Sequence, residues 1–481
     1  MQQSERSRML GDMPMKALVP KVGLPIMVSM IVQALYNVVD SIFVARYNPH
    51  ALTAVSLVYP VQMLMIALST GMGVGISSLL SRKLGAGERE DARRAAWNGM
   101  LIEGAGCLIF MAVGLFLTPA LLNTLVSDNL QNAAGIREMG VSYLSIVTIF
   151  SQGIFMAILF ERMLQATGNT VNAMMTQLAG AVTNIVLDPI MIFGLLGFPA
   201  LGVAGAAVAT VIGQFVSAGL GLFLNQRKND ELRLRLPDFR PDAALLAGIL
   251  TVGLPSTVMQ AIGSVMNVGL NGLLSSFAQG NAAVNVLNVY FKLQSFVFMP
   301  VFGLGSGMIA IVGYNFGARN RRRIYEAVRV SLTWAVGILL VGMLVFQLFP
   351  SMLMSIFDSD AEPEVARQMR EMGVNALRTI SWCFLPAAIG ITLSNVFQAV
   401  GKGTYSMIMS ICRQLLVLLP VAYLLKALFG TVDAVWWCFV IAEAVSLVLC
   451  LLLYRRCDRK MLQPLDHTQA QPPQPAKGDA I

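Results

Sequence analysis

Charge is scarce in this chain. Only 12% of its 481 residues are Asp, Glu, Lys or Arg, about half the share that a water-soluble domain carries. Histidine is nearly absent, with His50 and His467 alone, which excludes a histidine-built metal centre. The six cysteines (107, 383, 412, 438, 450 and 457) fall in or beside apolar runs without ligand spacing, and read as small packing residues. No GxxxxGK[ST] phosphate loop occurs, so nothing in this chain supports ATP as an energy source. The opening MQQSERSRMLG is polar and the first apolar run is too long for a signal-peptide core, so no cleaved leader is expected. A net charge of +8 does not point to nucleic acid, because the basic residues sit in short loops between apolar runs.

What is there is apolar sequence, at 56% of residues, in runs long enough to cross a bilayer as helices. Periodicity and breaks place twelve spans at about 16–44, 52–80, 95–118, 137–164, 171–195, 201–225, 243–274, 283–313, 327–349, 372–399, 405–427 and 433–455. The expected layout is a terminal segment (1–15), a first half (16–225), a charged linker (226–242), a second half (243–455) and a proline-rich disordered tail (456–481). Alternate loops hold SRKLGAGEREDARR, ERMLQATGN, NQRKNDELRLRLPDFRPD, NFGARNRRR and RRCDRK; the opposite loops hold little beyond Arg46, Arg137, Arg367, Arg370 and Lys426. This asymmetry predicts a multi-pass protein with both termini in the cytoplasm.

Within the first span, Gln33, Tyr36, Asn37 and Asp40 fall at i, i+3, i+4 and i+7 and make one polar stripe. In TNIVLDPIM, Asn184 again stands one turn before an acid, Asp188. A lone charged carboxylate at such depth costs about 2.5–3.5 kcal/mol on insertion scales. The competing reading is interhelical glue, worth about 0.6 kcal/mol per contact and more easily supplied by Asn or Ser. Two such acids favour a shared proton or cation site, because an arriving positive charge relieves their mutual repulsion. Pro25, about four turns before Asp40, removes a backbone donor and is a candidate hinge, or simply marks where the span begins.

The two halves repeat. Glycines 71, 73, 75 and 85 recur at 303, 305, 307 and 317; Gly23-Leu24-Pro25 recurs as Gly253-Leu254-Pro255; Gln165-Ala166-x-Gly168 recurs as Gln398-Ala399-x-Gly401. Six spans per half leave both repeats in the same orientation. The alignment sets Leu270 against Asp40 and Leu419 against Asp188, so the acids belong to the first half alone.

The stretches GLPIMVSMIVQALYNVVDSIFVAR, GVGISSLLSRKLGAGE, LQATGNT, NIVLDPIMIFGLLGFPALGVAGAA and FMPVFGLGSGMIAIVGYNFGARN resemble the multidrug and toxic compound extrusion (MATE) transporters, most closely the DinF-like, MepA-type bacterial branch. The resemblance spans about residues 15–455. It implies an all-α membrane protein of twelve helices, in two pseudo-symmetric six-helix lobes around a central cleft. It implies a monomeric secondary exporter in the bacterial inner membrane, not an enzyme, antiporting a small amphipathic organic solute against H⁺ or Na⁺ by alternating access. Lipid would be its only other partner, and it would need no cofactor. Asp40 and Asp188 match the family's acids on the first and fifth helices, with Asn184 and Thr210 beside them; a sodium ion would sit at Asp40, Asp188 and Asn184. Gln260 stands where another branch carries glutamate, which argues against a cation site in the second lobe. Glu161 stands where relatives have asparagine: it adds a third carboxylate to the cavity, or pairs with Arg162 or solvent. A lipid-linked glycan flippase of the related fold is the alternative, opposed by the helix count and the LDP motif.

Residues expected along the cleft are Gln33, Tyr36, Asn37, Glu161 and Gln177 in the first lobe, and Gln260, Asn267, Asn288, Lys292 and Arg378 in the second. Lys292 lies well inside its span, where an ammonium needs a reason. Arg413 is expected to pair with Glu443 instead of meeting substrate.

Overall fold

A computed structural model describes residues 5–127, 132–357 and 363–468. Among them every regular element is helical. A short α1 (Glu5–Asp12) precedes α2 (Met15–Tyr47), α3 (Pro49–Gly85) and α4 (Arg89–Leu125). Next come α5 (Ala133–Ile149), α6 (Gln152–Ala166), α7 (Thr170–Phe193) and α8 (Val203–Lys228). The second lobe holds α9 (Ala243–Ser275), α10 (Gly280–Gly317), α11 (Arg321–Leu348), the short α12 (Pro350–Ser355), α13 (Pro363–Ser381), α14 (Phe384–Ala399), α15 (Gly403–Phe429) and α16 (Val432–Leu465). Ten helices are long and apolar enough to cross a bilayer. The pairs α5–α6 and α13–α14, bent by 44° and 49°, bring the count to twelve. The two bends fall at residues 150–151 and 382–383, at the repeat offset. Each of the twelve expected spans has its helix or bent pair.

Large apolar side chains cover the outside, among them Leu108, Ile109, Phe116, Val182, Val186 and Val341. Such a surface suits lipid, where helices satisfy their own backbone groups.

The repeated glycines explain how the lobes meet. Gly71 and Gly75 of α3 press on Thr257, Ile249 and Gly253 of α9; Gly303 and Gly307 of α10 press on Met27 and Gly23 of α2. A methyl at Gly303 would lie 2.7 Å from the Met27 Cα, so only a missing side chain permits the approach. Near the ends of α3 and α10, Gly85 lies against the Tyr314 carbonyl and Gly317 against the Arg82 carbonyl. Ser78 Oγ donates 2.6 Å to the Gln398 carbonyl, and Thr70 Oγ1 donates 2.7 Å to Gln260 Oε1. All these contacts lie in the halves of the helices nearest the two chain ends. Toward the other end α2 and α9 emerge from the packing: Leu18, Val22 and Ile26 are buried, whereas Leu35 and Val38 are exposed, and Val252 is buried whereas Val265 and Val268 are exposed. The lobes are closed at the terminal end and part beyond Thr70 and Gln260.

Three polar segments are more ordered than their composition suggested. Helix α1 inserts between the lobes at the terminal end. Leu10 is fully buried against Gly168, while its carbonyl accepts from Asn315 Nδ2 (3.1 Å) and Arg323 (3.2 Å). The linker is strapped to α4: Arg93 pairs with Asp238 at 2.8 Å, Trp97 donates to the Arg235 carbonyl, and Asn98 bonds the backbone of Arg240 and Asp242. The expected disordered tail continues α16 in helical turns through Thr468, with Asp458 accepting from the Tyr325 hydroxyl and from Gln463. Residues 469–481 lie outside the described residues.

Replacing Gly75 or Gly303 by Ala therefore wedges the terminal end apart. The expected cost is about 1–3 kcal/mol to the closed arrangement, seen as a lower unfolding temperature and longer spin-label distances between the ends of α3 and α10. Wild-type values for both variants would refute the close-packing role.

Candidate functional site

The polar stripe of α2 faces α7. Gln177 Nε2 donates to Gln33 Oε1 at 2.8 Å. Two turns further along α7, Asn184 Nδ2 donates to Asp188 Oδ1 (3.1 Å) and to Thr210 Oγ1 of α8 (3.3 Å). Asp188 is fully buried, and Asp40 is its charged neighbour. At the acid pair three buried oxygens have no partner, Asp40 Oδ1, Asn184 Oδ1 and Asp188 Oδ2, and Gln177 Oε1 is a fourth two turns back along α7. No Lys or Arg enters the electrostatics of either acid.

Tyr36 of α2 and Tyr143 of α5 lie near the acid pair, with Tyr59 of α3 beside Tyr36 and Gln62 of α3 beside Tyr143. The sequence reading passed over Tyr59, Gln62 and Tyr143. No periodic stripe joins them, since they converge from two helices that are remote in sequence. Asn37 is exposed, and its backbone carbonyl accepts from Ser41. Asp40, Asp188, Asn184, Thr210, Gln33, Gln177 and Tyr36 thus form one constellation.

Glu161 stands apart from it. Its Oε1 accepts from Gln165 Nε2 at 2.7 Å on its own helix, and Arg162 is its charged neighbour.

The second-lobe residues do not converge in the same way. Gln260 is held by Thr70 at the seam between the lobes. Asn267 is half-buried with an unpartnered Oδ1, as is Asn271 one turn on. Asn288 is exposed. Lys292 is exposed, with its ammonium 5.9 Å from the centre of the Phe357 ring. Arg378 is exposed on α13, and its carbonyl accepts from Gln347. The Arg413–Glu443 pair is present, at 3.2 Å, with Glu443 almost fully buried.

The MatE family model matches residues 25–190 and 255–424, beginning at the two repeated prolines. The chain belongs to the MATE family of transporters. It is 25% identical over 442 residues to the multidrug export protein MepA of Staphylococcus aureus (strain MSSA476), covering 91% of this chain and 93% of that one. MepA of Staphylococcus haemolyticus (strain JCSC1435) is 26% identical over 433 residues, covering 90% and 91%. Among solved structures, an outward-facing multidrug resistance MATE transporter superposes with a TM-score of 0.87 at 26% identity, covering 97% of this chain and all of that one. A MATE transporter solved in a straight conformation scores 0.87 at 26% identity over 97% of this chain, and one in a bent conformation 0.86 at 26% over 98%, each along the whole of the other chain.

The Arg413–Glu443 pair gives a test of structure alone. Arg413→Leu strands a buried carboxylate and is expected to cost about 3 kcal/mol or more, whereas adding Glu443→Leu should recover most of that loss. Thermal unfolding of the two variants measures it, and equal destabilisation in both would contradict the pairing.

Proposed function

We propose that the protein exports small amphipathic organic solutes across the bacterial inner membrane in exchange for protons, and that the Asp40–Asp188 constellation in the first lobe couples the two fluxes. One observation carries this reading: three unpartnered buried oxygens from α2 and α7 converge without a basic residue. Leaving them so costs several kcal/mol at bilayer depth. A positive charge between the carboxyls removes that cost. Oxygen donors alone suit a proton or a hard cation such as Na⁺. Two neighbouring acids with no basic partner favour a shared proton, since ionising both is costly.

The cleft, closed at the terminal end, corresponds to one arm of an alternating-access cycle. The basic loops at that end orient it toward the cytoplasm, so the described state would be open to the outside, like its outward-facing relative. Coupling follows if proton and solute prefer different states or compete for the first-lobe cavity. The open aromatic and amide surface of Tyr36, Tyr59, Gln62 and Gln177 would take varied ligands. A single chain forms the whole cleft, so a monomer suffices.

Asp40→Asn and Asp188→Asn are expected each to abolish proton-driven export in proteoliposomes while leaving the unfolding temperature within a few degrees of wild type. Full export by either variant would sink the coupling role. Sodium in place of a pH gradient, applied to the wild type, separates the two ions.

Helix α2 runs unbroken through Pro20 and Pro25. Its first half packs on the second lobe through Gly23 and Met27, and its second half on α7 through Gln33. A bend near Pro25 would therefore let the Gln33–Asp40 segment move with the first lobe while the start of the helix stays with the second. That a MATE transporter adopts both a straight and a bent conformation supports such a motion. Spin-label distances from position 37 to α8 should shift between pH 8 and pH 5 in wild type and not in Asp40→Asn. Distances unchanged by pH, with transport still pH-dependent, would leave rigid rocking of whole lobes.

A further inference from the structure

A second buried charged cluster lies between the Asp40–Asp188 site and the terminal end, and the proposed coupling does not use it. Glu103 of α4 is fully buried; its Oε2 accepts from Ser69 Oγ of α3 at 3.0 Å, and its Oε1 has no partner. Arg162 of α6 is 7% exposed. Its Nη1 donates to two neutral oxygens, Gln165 Oε1 at 2.9 Å and Ser306 Oγ at 3.3 Å, while its buried Nε has no partner. Glu161 completes the cluster through Gln165. Gly73 of α3 makes room for the arrangement: a methyl there would lie 3.0 Å from the Arg162 side chain.

The charges do not balance. Glu161 reaches Arg162 through Gln165, and Glu103 through the adjoining turn of α3 that carries Ser69 and Gly73, so two acids stand near one guanidinium and the fully ionised cluster carries one uncompensated negative charge in an apolar bundle. That charge is costly unless something neutralises it. The elements packed on α6 are α3, α4, α7, α8 and α10, and from them only Glu103 enters the electrostatics of Arg162. Among the described residues Arg162 is in turn the only charged group that acts on Glu103 and on Glu161, and no lysine or second arginine balances the cluster.

We infer that Glu103 and Glu161 hold one exchangeable proton between them, with Arg162 as the fixed charge, and that this second proton site senses closure of the lobes at the terminal end. The link to closure is Ser306, which belongs to α10 of the other lobe. Separating the lobes there removes this acceptor from Arg162 and admits water. The guanidinium is then free to pair fully with a carboxylate, and the proton held by the acids can leave or be replaced from that side. Along its helix Glu103 lies about 21 Å from the terminal start of α4, and Asp188 about 27 Å from the start of α7. The cluster is thus the nearer of the two to the terminal face. This inference rests on the reading of the protein as a proton-coupled antiporter, which it extends from one proton site to two.

The test uses the full chain in nanodiscs. Infrared difference spectra between pH 9 and pH 5 report buried carboxyl groups that gain a proton, above the range where surface acids titrate. In an Asp40→Asn/Asp188→Asn background one buried carboxyl titration should remain, and Glu103→Gln or Glu161→Gln should remove or displace it. A pair of spin labels across the terminal end, read against pH, should show its midpoint moved by about one unit or more in Glu161→Gln. Glu161 is half-buried, so this variant decides the matter if Glu103→Gln fails to fold. Absence of any remaining titration in the aspartate-free background, or a titration and midpoint indifferent to both glutamine variants, overturns the inference. Export preserved in Asp40→Asn while the glutamate titration persists would instead overturn only the role assigned to the aspartates.

Discussion

The bilayer core offers a polar atom no partner, and the structure is arranged around that deficit. Backbone groups are satisfied within helices. Most buried side-chain donors turn back onto a carbonyl one turn earlier, as Thr148 does to Leu144 and Thr392 to Ala388. Where the deficit is left standing, it is concentrated. The unpartnered buried carboxylate oxygens within the spans belong to Asp40, Asp188 and Glu103, all in the first lobe. Among the described residues the second lobe has one buried acid within a span, Glu443, and pairs it with Arg413. The repeat therefore holds the same backbone architecture twice while one copy leaves buried acids without a basic partner and the other pairs its acid.

The seam between the lobes follows a different economy. Its contacts are mostly van der Waals approaches at glycine, with a few hydrogen bonds such as Ser78 to the Gln398 carbonyl. Such an interface is specific in shape, and among the described residues it holds no buried ion pair that must be broken to open it. Small-residue packing of this kind contributes by dispersion and loses little if water or lipid replaces it. The reciprocal pattern, Gly75 on Gly253 and Gly307 on Gly23, brings the first span of each lobe against the second span of the other at matching positions. Opening one end is then geometrically equivalent to closing the other.

Much of this was legible from residues alone. Apolar runs located all twelve spans, because in lipid composition and helix are nearly synonymous. The constant offset between repeats revealed the two halves, and spacing along α2 and α7 revealed the acid pair. What stayed hidden is instructive. Polar segments such as α1, the linker and residues 461–468 looked like solvent-exposed chain, yet each docks through backbone carbonyls and a few side chains, which leave no periodic trace. Glu103 is a single acid amid apolar residues, with neither a stripe nor a spaced partner, so its significance appears only when Ser69 and Arg162 arrive from other helices. Lys292 and Arg378 are singled out by depth in a span alone; both are exposed, and Lys292 rests over Phe357.

Two sets of acids along one lobe also bear on how tightly ion and solute can be linked. A single titrating site facing an open cleft exchanges its proton with whichever side has access, and an empty carrier that changes state with that proton bound dissipates the gradient. A second site tied to the seam by Arg162 and Ser306 makes the change of state depend on protonation at the closed end as well. The free energy for such control is modest. A shift of one pKa unit between the two states of a group corresponds to about 1.4 kcal/mol, comparable to the coupling energies by which most sites communicate. One carboxyl that gains or loses its neutral partners as the seam opens is enough to supply it, and the glycine interface, having no ion pairs of its own, leaves that bias as the electrostatic switch between the lobes.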